Sequence, residues 1–240
     1  MTGLNALVTG AANGIGAAVA AALRDRGDRV VGIDREPGDG ILVADLADPA
    51  ARAAAVAEAL GALGSIDVLV AVAGVYREGS IHDSGFDDWR PVWAVNLDAP
   101  LDLMRLVTAG MRERGFGRIV TITSVHARQA QAASLAYDVS KAGLEAATRS
   151  AALDLARYGV LANAVAPGFV RTRMSLLPDG RDETDTDEFR ATYVEGGKLP
   201  LGRAATPAEV AHAVAFLAAR ENTYITGQVL TVDGGLTMTF

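Results

Sequence analysis

Short runs of β-branched and apolar residues alternate along the chain with longer segments rich in Ala, Leu and Arg. The runs predict strands over Leu4–Thr9, Arg29–Asp34, Gly40–Ala44, Val68–Ala73, Arg118–Ser124, Leu161–Ala166 and Gln228–Val232. Helices are expected over Ile15–Arg26, Pro49–Leu63, Leu135–Arg157 and Pro207–Ala219, the last opened by a Thr206 cap and a first-turn proline. Phe86–Arg114 reads as one or two helices, with Pro91 and Pro100 at first-turn or kink positions. Strands with helices between most of them imply an α/β fold, a doubly wound seven-stranded parallel sheet with helices on both faces.

No composition break divides the chain, so residues 1–240 are expected to form a single domain. The irregular part is Arg171–Arg203, with an acidic run over Asp179–Glu188 and the pair Gly196-Gly197. It reads either as a solvated acidic loop or as a mobile lid over a ligand pocket. Its place between two core strands favours the lid.

Composition narrows the chemistry. The chain has no Cys, which removes disulfides, thiolate chemistry and Cys-ligated zinc. His82, His126 and His212 lie far apart without metal-ligand spacing, so no metal is expected. A net charge of −7 argues against nucleic-acid binding. The opening Met1-Thr2-Gly3-Leu4 has no basic region leading into a long apolar core, and no stretch approaches a membrane span. Neither a signal peptide nor a membrane segment is expected, and a cytoplasmic location is the consistent reading.

Two motifs carry chemistry. Tyr137 and Lys141 stand four apart, on one face of the predicted helix, with Ser124 upstream at a strand end. An isolated Tyr at pH 7 is phenolate in only about one molecule in a thousand. Lowering its pKa by about three units requires roughly 4 kcal/mol, which one positive charge at about 4 Å can supply at an effective dielectric of about 20. The pair is therefore a candidate general base near neutral pH. The second motif, Thr9-Gly10-Ala11-Ala12-Asn13-Gly14-Ile15-Gly16, follows the first strand and opens the first helix. Glycines let the backbone turn tightly, and the helix N-terminus offers N–H groups to a pyrophosphate. Asp34, ending the second strand, can accept hydrogen bonds from an adenosine ribose and would repel a 2′-phosphate, favouring NAD over NADP. Arg35 beside it is a residue type that can hold a phosphate.

With these residues in order, the chain resembles the classical short-chain dehydrogenase/reductase family over nearly its whole length, and a single-domain Rossmann fold is implied. Thr9, Gly10, Gly14 and Gly16 match the family's cofactor turn, Asp45-Leu46 its adenine contact, and Pro167-Gly168 with Thr172 its nicotinamide contact. The segments Ile225–Gln228 and Val232–Gly235 match its ending. The resemblance implies a catalytic set of Asn96, Ser124, Tyr137 and Lys141. It implies cofactor contacts at Gly10, Asn13, Gly14, Ile15, Gly16, Asp34, Asp45, Leu46, Ala73, Gly74, Asn96, Tyr137, Lys141, Pro167, Gly168, Val170 and Thr172. Tyr137 would exchange the substrate proton, Lys141 would lower its pKa and bind the nicotinamide ribose, Ser124 would orient the substrate oxygen, and Asn96 would hold a relay water. Ala71-Val72-Ala73-Gly74 departs from the family's Asn-Asn-Ala-Gly, so local ordering there must come from elsewhere. A homotetramer, paired through helices around Asp102–Arg114 and Leu135–Arg157, is also implied.

The substrate is written less clearly. Ser124, His126, Tyr137 and Phe169 are candidate contacts, with Tyr76, Arg77, Gln129 and Gln131 nearby. Polar groups beside few large aromatics suit a sugar or polyol hydroxyl. Two alternatives remain: a 3-oxoacyl-[acyl-carrier-protein] reductase, a type that normally prefers NADPH and a basic docking patch, and a non-catalytic NAD-binding regulator.

Overall fold

The computed structural model describes residues 3–238. Met1 and Thr2, and Thr239 and Phe240 of the apolar ending, lie outside the described residues. The chain runs β1 (Asn5–Thr9), α1 (Gly14–Asp25), β2 (Arg29–Asp34), β3 (Ile41–Val43), α2 (Pro49–Leu63), β4 (Val68–Ala71) and α3 (Phe86–Trp93). It continues through α4 (Ala99–Arg114), β5 (Gly117–Ile122), α5 (Leu135–Leu155), β6 (Val160–Pro167), α6 (Asp187–Phe189), α7 (Pro207–Leu217) and β7 (Val229–Val232). The strands form one parallel sheet in the order β3-β2-β1-β4-β5-β6-β7.

Strands β4, β5 and β6 are buried at every position, which is why their sequences read as near-continuous apolar runs rather than alternating ones. Helices cover both faces. On one, Val19 and Leu23 of α1 join Val210 and Val214 of α7 against Val8, Val70 and Val120. On the other, Val56, Leu103, Met111 and Leu155 pack against Leu7, Leu69 and Ile119. The strand order reverses between β1 and β4, opening a crevice at the carboxyl ends of the strands, where ligands bind in sheets of this type.

The predicted elements are present with shifted edges. Strand β4 stops at Ala71, because the N–H groups of Val72 and Ala73 turn to the Thr9 hydroxyl at 3.0 and 3.1 Å instead of a ladder. That one hydroxyl ties the β4 exit to β1, where the family's Asn side chains are missing. The segment Phe86–Arg114 is two helices, but the break is neither proline itself. It is a π-helical turn over Ala94–Asp98, in which Ala99 N–H bonds Ala94 C=O. Pro100, in the first turn of α4, has no N–H to offer the Asn96 carbonyl four residues earlier.

The segment 171–203 is not a bare acidic loop. A bridge between Val170 and Ala205 pins its ends, and Leu176 pairs with Asp182. Arg171 pairs with Asp185, Arg181 with Asp179 at 2.7 Å, and Ser175 Oγ donates to Asp182 at 2.7 Å. Among the described residues, no helix is long and apolar enough to cross a membrane and no cluster of ligating side chains could hold a metal.

Candidate active site

A cavity of about 940 Å³ opens along the carboxyl ends of the strands. It begins at the turn between β1 and α1. Gly10 and Gly14 hold φ of +67° and +52°, a region that side chains with a Cβ rarely adopt. A Cβ on Gly16 would meet the Gly10 carbonyl oxygen at 2.0 Å, so the turn closes only around glycine. No side chain caps α1: Asn13 instead donates to Glu36 at 2.9 Å. The first N–H groups of α1 thus remain available to an anion. Cradle, open helix end and cavity size together fit a dinucleotide.

At the far end, the half-buried Asp34 accepts from Ala12 N–H at 3.0 Å and Glu36 N–H at 3.1 Å, tying the glycine turn to the end of β2. Glu36 is a second carboxylate there, held below the usual carboxylate range by hydrogen bonds from Asn13 and Arg173. Arg173 reaches it at 2.5 Å from the segment 171–203, 137 residues away in sequence. Neither Glu36 nor Arg173 stood out in the sequence. Their only local signals are adjacency to Arg35 and to Thr172.

The proton-transfer group lies at the other end. Lys141 is buried and donates from Nζ to Ile122 C=O at 2.8 Å, with Nζ 5.5 Å from the centre of the Tyr137 ring. Ser124 leads a turn over Val125–Ala127, where its hydroxyl accepts from His126 N–H at 3.2 Å and also hydrogen-bonds the Tyr137 side chain. Burial pushes the Tyr137 phenol up to about 12, against the pull of Ser124, and pushes Lys141 down to about 8. This departs from the expectation that Lys141 brings the phenol toward neutrality: desolvation outweighs the pull of Ser124, and the phenol at pH 7 is a proton donor.

Asn96 is fully buried, outside the cavity wall. Its Oδ1 accepts from Val75 N–H at 2.8 Å, and its Nδ2 donates to Val75 C=O at 2.9 Å and Ser140 Oγ at 3.1 Å. The segment it clamps passes directly over Lys141. A Cβ on Gly74 would lie 3.5 Å from both Lys141 Nζ and Asn96 Oδ1.

Every other expected cofactor residue, from Gly10 to Thr172, lines the cavity, as do Ser124, His126, Phe169, Tyr76, Gln129 and Gln131. Arg77 does not. It turns outward to Asp88 at 3.2 Å. Sequence reasoning also missed Phe189 and Tyr193, which stack edgewise with Phe169 at 4.9 and 4.7 Å and line the cavity from the segment 171–203.

A Rossmann sheet with this turn, this crevice and a Ser–Tyr–Lys group defines a class of nucleotide-dependent oxidoreductases. Residues 10–237 match the family model described as enoyl-(acyl carrier protein) reductase, a model of short-chain dehydrogenase/reductases. The chain is similar to the 3-oxoacyl-[acyl-carrier-protein] reductase FabG of Salmonella typhimurium, at 34% identity over 97% of each chain. It superposes on the aldohexose dehydrogenase of Thermoplasma acidophilum with a TM-score of 0.90, at 32% identity over 100% of this chain and 96% of that one. A putative gluconate dehydrogenase from Agrobacterium tumefaciens gives 0.91 at 29% identity, over 100% and 98%. The protein belongs to the short-chain dehydrogenase/reductase family.

Proposed function

We propose that this protein is an NAD-dependent oxidoreductase that moves a hydride reversibly between a secondary alcohol, a sugar or polyol hydroxyl, and the nicotinamide. The observation that carries it is the placement of Ser124, Tyr137 and Lys141 on the wall of one cavity whose other end is the glycine turn and the Asp34 carboxylate. When bound, the dinucleotide supplies the hydride-accepting or hydride-donating ring. Gly10, Gly14 and Gly16 would hold its pyrophosphate, and Asp34 its adenosine ribose, with Asp45, Leu46, Pro167, Gly168 and Thr172 along its length. Ser124 Oγ hydrogen-bonds the substrate oxygen and holds it against the Tyr137 hydroxyl. Tyr137 gives its proton to that oxygen in reduction and takes it back in oxidation. Lys141 keeps a positive charge beside the phenol. Asn96 acts through position: it fixes Val75 and hence the strip of backbone over Lys141, while its main-chain carbonyl is the acceptor that a relay water would use.

Tyr137→Phe tests this. Turnover should fall by about three orders of magnitude while NADH binding persists, and near-wild-type turnover would refute the assignment. A second reading, reduction of 3-oxoacyl thioesters, draws on the similarity to the FabG reductases. Two carboxylates at the ribose end count against its usual NADPH. Initial rates with both cofactors across sugars, polyols and 3-oxoacyl thioesters separate the two. A non-catalytic role finds no missing group among the four. Cytoplasmic residence and a homotetramer belong to the same proposal. Leu101, Val139 and Leu153, exposed on α4 and α5, supply apolar surface for assembly, which light scattering would measure.

A further inference from the structure

The cavity wall beside the proton-transfer group carries two polar groups that no described residue hydrogen-bonds. The first is His126. Its Nδ1 lies 2.7 Å from Asp138 Oδ1, and Asp138 Oδ2 accepts Gln131 N–H at 3.2 Å, which holds the carboxylate in place. A carboxylate only accepts, so Nδ1 carries the proton, and Nε2 is the free polar end of the ring. No described residue bonds Nε2. The ring stands edge-on to Tyr137 with centroids 5.4 Å apart, so the imidazole sits next to the reacting position.

The second is Glu183, carried by the lid. Its main-chain carbonyl accepts from the Thr186 hydroxyl at 2.7 Å, but its carboxylate bonds no described residue. The side chain is half-buried and lines the same cavity. Burial and the neighbouring Asp182 push its carboxyl up, with His126 opposing them. The Glu183 carboxylate is open to the cavity and can accept from a bound donor. Phe169, Phe189 and Tyr193 offer an apolar face to the same cavity.

We propose that His126, positioned by Asp138, and Glu183 select a neutral substrate with hydroxyl groups beside the reacting carbon. The proposal rests on the alcohol-oxidising reading of Ser124 and Tyr137. A hydroxyl can donate to the carboxylate and can hydrogen-bond the imidazole nitrogen, and the aromatic wall suits the C–H face of a sugar. A substrate carboxylate would meet the charge of Glu183. An acyl thioester has no neighbouring hydroxyl to give.

The test compares kcat/KM for a neutral sugar or polyol with that for its deoxy analogue lacking the hydroxyl next to the reacting carbon. It also includes the corresponding hydroxy-acid anion. Each substrate is run with the wild type, Glu183→Gln and Asp138→Asn. In each variant the preference for the hydroxylated compound should fall about tenfold, mainly through KM. The amide at position 183 adds a donor and removes the charge, while the amide at position 138 no longer fixes the imidazole tautomer. Glu183→Gln should also lower KM for the hydroxy-acid anion. A purely structural role would move kcat, KM and melting temperature without changing the ratio between substrates. A ratio within twofold of wild type in both variants, with NADH affinity and melting temperature intact, overturns the proposal. So does a wild type that reduces 3-oxoacyl thioesters but oxidises no sugar or polyol. If Tyr137→Phe is inactive in the same assays, the proton-transfer assignment survives either result. If it is active, that assignment falls as well.

Discussion

Cofactor choice turns on Asp34, and Asp34→Asn is the sharpest way to probe it. The carboxylate already serves the N–H groups of Ala12 and Glu36 at 3.0 and 3.1 Å, leaving about two of its roughly four lone-pair sites for a ribose diol. An amide keeps one acceptor oxygen and turns an NH2 toward the other N–H. Losing a hydrogen bond to a charged acceptor costs about 1.5–3 kcal/mol, so kcat/KM with NAD should fall roughly 10- to 100-fold. The opposite holds for NADP. A 2′-phosphate carries about −1.5 to −2 charges, and a pair of unit charges at about 4 Å repels by roughly 1 kcal/mol in water and about 4 at an effective dielectric of 20. Asp34 is half-buried, so relief of roughly 2–3 kcal/mol is the intermediate value, a gain of about 30- to 150-fold. Glu36 keeps its charge and trims that gain. Initial rates with each cofactor at fixed substrate read the ratio directly. A wild type that prefers NADP, or a variant whose ratio moves less than about threefold, would show that Asp34 does not set the choice.

The remaining predictions concern protons and the clamp on Val75. Reduction needs Tyr137 protonated and Lys141 charged, while oxidation needs the phenolate and the same charge. With Tyr137 at about 12 and Lys141 at about 8, reductive kcat/KM should be flat below pH 8 and fall above it. Oxidative kcat/KM should rise about tenfold per unit up to pH 8 and level off above it. A reductive profile unchanged through that range would refute the assignment of the charge to Lys141. Asn96→Ala removes three hydrogen bonds, one of them fully buried, and strands the Val75 N–H, a loss of about 3 kcal/mol. Calorimetry should show the melting temperature lowered by about 6–12 °C, and a drop under about 2 °C would contradict the clamp.

What the sequence showed and what it hid follow from the range of the interactions involved. Strands β4, β5 and β6 were legible because both faces are covered, so each reads as one unbroken apolar run. The glycine turn was legible because its backbone conformation and the contact between Gly16 and Gly10 are local. In Phe86–Arg114 the first-turn position of Pro100 was legible, but the wide turn at Ala94–Asp98 has no residue signature beyond a missing N–H downstream. The bond from Arg173 to Glu36 and the stacking of Phe189 on Phe169 join distant parts of the chain, and no local pattern encodes either. The direction of the Tyr137 shift was misjudged for a related reason: charge pairing can be read from an i,i+4 spacing, but the cost of burial depends on everything packed around the phenol.

The wide turn between α3 and α4 also sets a rotational phase. Each residue advances a helix by about 100°, so the extra residue accommodated at Ala94–Asp98 rotates everything downstream relative to everything upstream. It lets Trp93 reach the Ala136 carbonyl at 3.0 Å on α5 while Leu103, Met104, Val107 and Met111 turn toward the sheet. Shortening the chain by one residue there would leave the composition of both helices untouched and point α4's apolar stripe the wrong way. Length, at this place, is under tighter constraint than the identity of most of its side chains.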